Sequence, residues 1–298
     1  KSIAVLPLVN MSADKDNEYF SDGISEEILN ALSKVDDLKV AGRTSSFFFK
    51  GKNESLTTIG KDLGVANVLE GSVRKQGGKV RITAQLIRVE DGFHLWSETY
   101  DGDLKDVFAL QESSAQAITG QLQVILRGDQ QSQLVRTGTA NAEAYQAYLQ
   151  GRFHWNKRTP EEFGKAIVFF KQAIEKDPDY ALAYSGLADT YGLFPNFGDY
   201  RREDYMPQAK AAALKALALD PNLAEAHASL GEVIFYYEYD WAGAEKAFKR
   251  AIELNPKYAT AHQWYAELLV YSGRQDQALK HAATALELEP FSLIINRE

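Results

Sequence analysis

Cysteine is absent from this 298-residue chain. That removes disulfides, thiolate nucleophiles and Cys-ligated zinc together. Methionine occurs twice and proline eight times. No apolar run approaches the roughly 18 residues of a membrane span, and no signal-peptide pattern opens the chain. Excess basic charge is missing too: 33 Lys plus Arg face 41 Asp plus Glu, a net of −8. Such a balance speaks against binding to nucleic acid and against attachment to an anionic membrane. The motifs of catalysis are missing as well. Gly51-Lys52 is followed by Asn53 and has no glycine five residues before it, so it is not a phosphate loop. There is no GxGxxG, no HExxH and no GxSxG. The histidines (His94, His154, His227, His262 and His281) show no metal-ligand spacing. No enzyme, cofactor or metal is therefore expected. What remains is an ordinary globular composition, 45% hydrophobic and 25% charged, with length enough for two domains. The chain starts directly in the apolar run Ile3–Leu6 without Met, which reads as a segment of a longer protein.

The character changes near residue 127. Residues 1–127 alternate strand-like and helix-like patterns, residues 128–139 form a polar linker, and residues 140–298 are helical throughout. Splitting at Arg127 leaves nets of −3 and −5, so neither half is basic. In the first half Ile3–Leu8 reads as a strand buried on both faces. Asp22 reads as the cap of a helix carrying Ile24, Ile28, Leu32 and Val35, with Glu26 and Glu27 in its first turn. Leu38–Ala41 is a second strand. Leu56, Ile59 and Leu63 mark a second helix that Gly64 can cap. Beyond it the period becomes two, with Gly77-Gly78 and Asp91-Gly92 as hairpin turns. Leu104, Phe108, Ile118 and Leu122 mark a last helix. The expected order is β-α-β-α-β-β-β-α, an α/β domain with a mixed sheet and an antiparallel meander.

The second half repeats itself. Ala173–Pro178, Ala216–Pro221, Ala251–Pro256 and Ala285–Pro290 share one pattern, and their prolines are spaced by 43, 35 and 34 residues. The last two spacings match the tetratricopeptide period of about 34, and the first exceeds it by about nine. About four repeats are expected, each of two antiparallel helices ended by its proline. The first is divergent around Gly151, and the second carries an insertion at 193–208. Phe291–Glu298 would begin another helix or form a short cap.

Successive motifs of the first half resemble one bacterial family. They are Ser2–Pro7, Glu18–Ile24, Arg43–Phe47, Phe49–Lys52, Val68–Arg74, Val80–Leu86 and His94–Glu98. In order and spacing these are similar to the TolB-like amino-terminal domain, which is related to FlgO-type domains. The resemblance covers nearly all of residues 1–125. It implies a regulatory half that commonly precedes tetratricopeptide repeats and follows an effector. That effector can be a class III adenylate or guanylate cyclase, a serine/threonine kinase, or a CadC-like winged-helix domain. None of those effector motifs is in this chain. Family analogy also implies the extracytoplasmic side of a membrane-anchored parent.

Several constellations invite a functional reading. Counting from Ala181, Ala224 and Ala259, the ninth positions of the repeats are Asp189, Glu232 and Glu267, with Phe235, Tyr236 and Tyr271 nearby. This column reads either as an acidic groove with aromatic walls, suited to a basic or mixed peptide, or as a solvated helix face. Arg43, Thr44, Ser45 and Ser46 follow a strand and are rich in donors, so they form a candidate anion or ligand loop; a hydrogen-bonded structural loop is the simpler account. His94, Trp96 and Glu98 alternate along a strand and would share a face. Asp101, Asp103 and Asp106 fail the calcium-loop spacing, and helix capping accounts for them. His227 and His262 occupy a packing position of the repeat. Phe194, Phe197, Tyr200 and Tyr205 in the insertion call for a packing partner or a ligand, and packing over the neighbouring helices or the first domain is the simpler account.

The expected function is a non-catalytic regulatory, protein- or peptide-binding segment of a bacterial signalling protein. The alternatives are an exported envelope assembly or trafficking adaptor and a small-ligand sensor acting through the α/β domain. Repeat arrays both dimerise and stay monomeric, and nothing in the residues selects one.

Overall fold

The computed structural model describes residues 1–35, 37–104, 107–122, 138–292 and 295–297, with the backbone alone for 107–112 and 297. It divides into two compact units, Lys1–Thr137 with Leu288–Glu298, and Gly138–Glu287. The expected linker lies outside the described residues over 128–137. The final residues, expected to extend the repeats, belong instead to the first unit.

The first unit is built on a mixed sheet. Its strands are β1 (Ser2–Val5), β2 (Val9–Asn10), β3 (Lys39–Val40), β4 (Asn67–Gln76), β5 (Lys79–Arg88) and β6 (His94–Asp103). The order is β3-β1-β4-β5-β6, with β2 also beside β4. β1 runs parallel to β3 and β4, while β4, β5 and β6 form the antiparallel meander. β1 and β2 are one strand broken at Pro7. Val5 pairs with Leu69 and Val9 with Ser72, so the broken strand carries one extra residue. Proline has no N–H to give to the ladder, and the neighbouring Leu8 N–H donates instead to Ser25 Oγ at 2.8 Å. Both expected hairpin turns form: Gly77 (φ +58°) and Gly92 (φ +73°) take the left-handed backbone the turns require.

Helices α1 (Glu18–Ser33), α2 (Arg43–Phe47), α3 (Leu56–Asp62) and α4 (Val107–Gln121) complete the unit. α1 starts earlier than expected. Asp22 is an interior helical residue, not a cap, and its buried carboxylate takes Lys50 Nζ at 2.7 Å on both oxygens. One core cluster joins Ala4, Phe49, Ile59, Leu63, Val68 and Val89, with Phe291 packed against it.

The second unit is a row of helix pairs: α5 (Ala142–Trp155) with α6 (Pro160–Lys176), α7 (Ala181–Leu193) with α8 (Arg202–Leu219), α9 (Ala224–Val233) with α10 (Trp241–Leu254), and α11 (Ala259–Tyr271) with α12 (Gln275–Leu288). Small residues set the close approaches. A Cβ on Gly151 or on Gly186 would come within 2.6 or 2.5 Å of the Phe170 ring, and one on Gly231 within 2.7 Å of Phe248. Gly151 thereby fixes the register of the divergent first pair. The repeat-ending prolines act through the residue before them, which proline steers away from helix. Asp177, Asp220 and Asn255 all leave their helices with φ between −135° and −145°. Each side chain then accepts the N–H two residues on, at 3.0–3.1 Å, closing an Asx turn. The 193–208 insertion is ordered: Phe194–Phe197 form a 3₁₀ turn, and Tyr205 lies inside α8 with its ring stacked on Phe194 at 4.8 Å. Phe163 receives Phe194 and Phe197 at 6.0 and 5.0 Å. Among the described residues no helix is long and apolar enough to cross a membrane.

Candidate functional site

The repeat column is more buried than a solvent-lined groove. Asp189 on α7 is 3% exposed and Glu232 on α9 is 2% exposed, while Glu267 on α11 is half-buried. The Asp189 carboxylate bonds the Ser229 hydroxyl. Glu267 receives the Tyr236 hydroxyl on one oxygen and Gln263 Nε2, at 3.3 Å, on the other. Between them, Glu232 Oε2 has no hydrogen-bond partner. It lies against Gly192, where an added Cβ would sit 2.3 Å away. Burial raises Asp189 to about 6 and Glu232 to about 8. Coulombic repulsion from Asp189 and Glu267 adds to the rise of Glu232, against Arg202 and Arg158. At neutral pH Glu232 therefore holds its proton, and the column carries less negative charge than three exposed carboxylates would. The sequence signal for this was Gly192, whose missing side chain lets a glutamate lie down between helices.

The aromatic residues separate into a buried base and an exposed rim. Phe235 is buried and meets Tyr236 at 4.4 Å, Tyr271 at 5.5 Å and Trp241 at 6.5 Å. Tyr271 is 64% exposed and Tyr239 is 76% exposed. Sequence reasoning missed Tyr239 and Trp241. The segment Ile234–Glu238 is a π-turn that ends at Tyr239, whose φ of 59° is left-handed. A π-turn absorbs one extra residue, and the spacing from Pro221 to Pro256 is one longer than the next. That single residue was the available clue. An exposed non-glycine residue held at positive φ is a feature that clusters at ligand-contacting positions. Arg202 lies over the Tyr236 ring at 5.4 Å and donates to the Tyr236 carbonyl at 3.4 Å.

In the first unit Arg43, Thr44, Ser45 and Ser46 form the first turn of α2, a helix where a loop was expected. An anion does sit there, and the chain supplies it. Thr44 N–H donates to Glu289 Oε1 at 3.1 Å and Ser45 N–H to Glu289 Oε2 at 2.8 Å. Gly42, the N-cap, has no side chain to offer; a Cβ there would come within 2.3 Å of the Glu289 carboxylate. Ser45 Oγ accepts the Phe291 N–H at 3.0 Å, and the Phe291 ring stacks on Phe48 at 4.7 Å. Arg43 Nε pairs with Glu26 at 2.6 Å.

Other candidates resolve differently. A register shift between Leu86 and Ile87 pairs His94 with Ile87 but Trp96 with Leu86, which takes His94 out of the alternation while Trp96 and Glu98, opposite Leu86 and Ala84, still share a face. Asp101 and Asp103 do not cap a helix; they lie in β6 and pair with Arg81 and Lys79. Asp106 lies outside the described residues. His227 Nε2 bonds the Pro221 carbonyl at 2.9 Å. His262 and His281, from different helices of one pair, meet with their Nδ1 atoms 2.9 Å apart. No group of three or more metal-ligating side chains gathers among the described residues.

Comparison with known proteins places the repeats. Residues 235–294 match the tetratricopeptide repeat family. The chain is 36% identical over 233 residues to a Rhizobium meliloti protein named "Putative adenylate cyclase 3", covering 77% of this chain and 39% of that protein. It is 29% identical over 143 residues to the transcriptional regulator HilA of Salmonella typhimurium, covering 48% of this chain and 26% of HilA. The chain thus spans well under half the length of these relatives. Among solved structures, a thermophilic tetratricopeptide protein of Thermus thermophilus aligns with a TM-score of 0.44 and 24% identity, over 62% of this chain and 95% of that one.

Proposed function

We propose that this chain is the non-catalytic, protein-binding regulatory segment of a larger bacterial signalling protein. Tetratricopeptide repeats generally serve as protein-interaction modules, and the observation that carries the reading is the exposed aromatic rim on the third and fourth repeats. Trp241 and Tyr271 are exposed and meet the buried Phe235, Tyr239 is exposed at the end of the adjoining π-turn, and Tyr236, which also meets Phe235, bonds the half-buried Glu267. Aromatic side chains of this kind anchor partner peptides with little loss of conformational freedom. The partner read from these residues is a protein or peptide of basic or mixed charge, with its cation near Glu267 and its apolar groups on the rim. The first unit, read as a TolB-like domain, would orient or sense on behalf of an effector elsewhere in the parent. The similarity to a protein named as a cyclase and to one named as a transcriptional regulator supports that reading.

The test is binding of an arrayed panel of basic, mixed and acidic peptides to the whole chain and to Tyr271→Ala and Glu267→Gln. Both positions are open enough for the variants to fold. Selective capture of basic or mixed peptides, weakened about tenfold by either change, is the expected result. Capture that ignores both substitutions removes the rim from the reading.

A further inference from the structure

The turn end of the β4–β5 hairpin carries an arrangement the repeats do not explain. Arg74 of β4 stands directly opposite Arg81 of β5 in the antiparallel register, and Gln76 stands opposite Lys79. Like charges facing each other across a strand pair repel. On β6, Asp101 holds Arg81 with both oxygens, at 2.6 and 3.0 Å, and Asp103 holds Lys79 at 2.7 Å. Arg74 has no hydrogen-bond or ion-pair partner among the described residues. Arg74, Gln76, Lys79, Arg81, Asp101 and Gly102 border an open cavity of about 450 Å³.

The geometry points to a site for a phosphoryl dianion at Arg74 and Arg81, with Lys79 and the Gln76 amide at its rim. Asp101 takes Arg81 through Nε and Nη2, so the remaining Arg81 N–H groups and the opposed Arg74 guanidinium can share one anion that has several acceptor oxygens. A phosphoryl group supplies three such oxygens and close to two negative charges near neutral pH, and Arg is the side chain that meets it in a fork. The cavity falls within the range of small-molecule pockets, about 300–1,000 Å³, so the phosphoryl group can be carried on a small organic group. Asp101 sits at the edge and weakens an incoming anion. Its effect is therefore a second handle on the site. The net charge of −8 makes unspecific anion adsorption unfavourable.

Isothermal titration of the whole chain with inorganic phosphate and with adenosine 5′-monophosphate tests the proposal, with adenosine as the control lacking a phosphoryl group. One saturable site per chain is expected. Arg74→Ala should weaken it about tenfold or more, and Asp101→Asn should tighten it several-fold. All these side chains are exposed, so circular dichroism should show each variant folded. A tighter monophosphate assigns an ester as the ligand, and equal affinities assign free phosphate. Absence of saturable binding at millimolar concentrations, or an Arg74→Ala variant that titrates like the parent, overturns the site.

Discussion

Glu289 and Ser45 are 244 residues apart in sequence, yet the Glu289 carboxylate accepts the Ser45 N–H at 2.8 Å. With Thr44 N–H on its other oxygen, this carboxylate caps a helix whose own N-cap is glycine. Removing a side-chain cap removes about 0.5–2 kcal/mol. Glu289→Ala should destabilise the first unit by that amount in denaturant unfolding. Gly42→Ala should do the same, because the methyl group displaces the same carboxylate. The two changes together should fall well short of the sum of their separate effects.

The buried carboxylates make the second unit sensitive to pH in an uncommon direction. Folded Glu232 is raised to about 8 and Asp189 to about 6, both above their unfolded values. Between those values the folded state binds more protons than the unfolded chain, so stability falls as pH rises. The contribution is fully present near pH 4 and is lost progressively up to pH 8. The melting temperature of the repeats should drop by several degrees from pH 5 to pH 8.5. Glu232→Gln should flatten most of that slope and raise stability at the alkaline end.

The His262–His281 pair works in the opposite sense. Burial lowers both imidazoles, and the charge of His262 lowers His281 further; Lys249 also faces His281, and Tyr265 lies against it. The folded pair resists protonation, so its stabilisation is present above the unfolded histidine value and fades as pH falls below it. Imidazole proton resonances followed from pH 8 to pH 5 should show both rings titrating below free histidine. His262→Ala should return His281 part of the way towards the ordinary value.

Gly231 tests the packing of the array. Alanine in a helix interior normally gains about 1 kcal/mol over glycine. Here its Cβ would lie 2.7 Å from the Phe248 ring, and overpacking of that kind destabilises by about 1–3 kcal/mol. Gly231→Ala should therefore lower stability, and adding Phe248→Leu should restore part of the loss. Both are read by chemical unfolding of the whole chain.

Tyr239 should behave conversely. At φ 59° a side chain is disfavoured by about 1–2 kcal/mol relative to glycine. Tyr239→Gly should stabilise the repeats by about 1 kcal/mol while reducing peptide capture.

The repeats were legible because their signal is local and recurs: Ala at close approaches, proline at each end, and a period near 34. The antiparallel meander was legible from strict alternation and from Gly77-Gly78 and Asp91-Gly92. What escaped was set by distant partners. Asp22 looks like a cap in sequence because nothing nearby shows that Lys50 will bury it. Arg43–Ser46 look like an open anion loop because their anion lies 244 residues later. The carboxylate column was found by repeat phase alone, but its burial depends on Gly192, which belongs to a different repeat from Glu232. His262 and His281 are 19 residues apart, and only the pairing of α11 with α12 brings them together.

One substitution within the repeat pattern has a consequence for how the molecule is made. The first three repeats end on Asp177, Asp220 or Asn255, whose short side chains close their own turns; the fourth ends on Glu289, one methylene longer, which reaches α2 instead. The first unit is therefore incomplete when its first 137 residues leave the ribosome. At about 5–20 residues per second, the residues that cap α2 and cover Phe48 arrive roughly 10–30 s later, after the helical pairs between them have been synthesised. The repeats, whose contacts are local, can fold in that interval. Most of the α/β unit is made before the repeats, yet it is finished only after them.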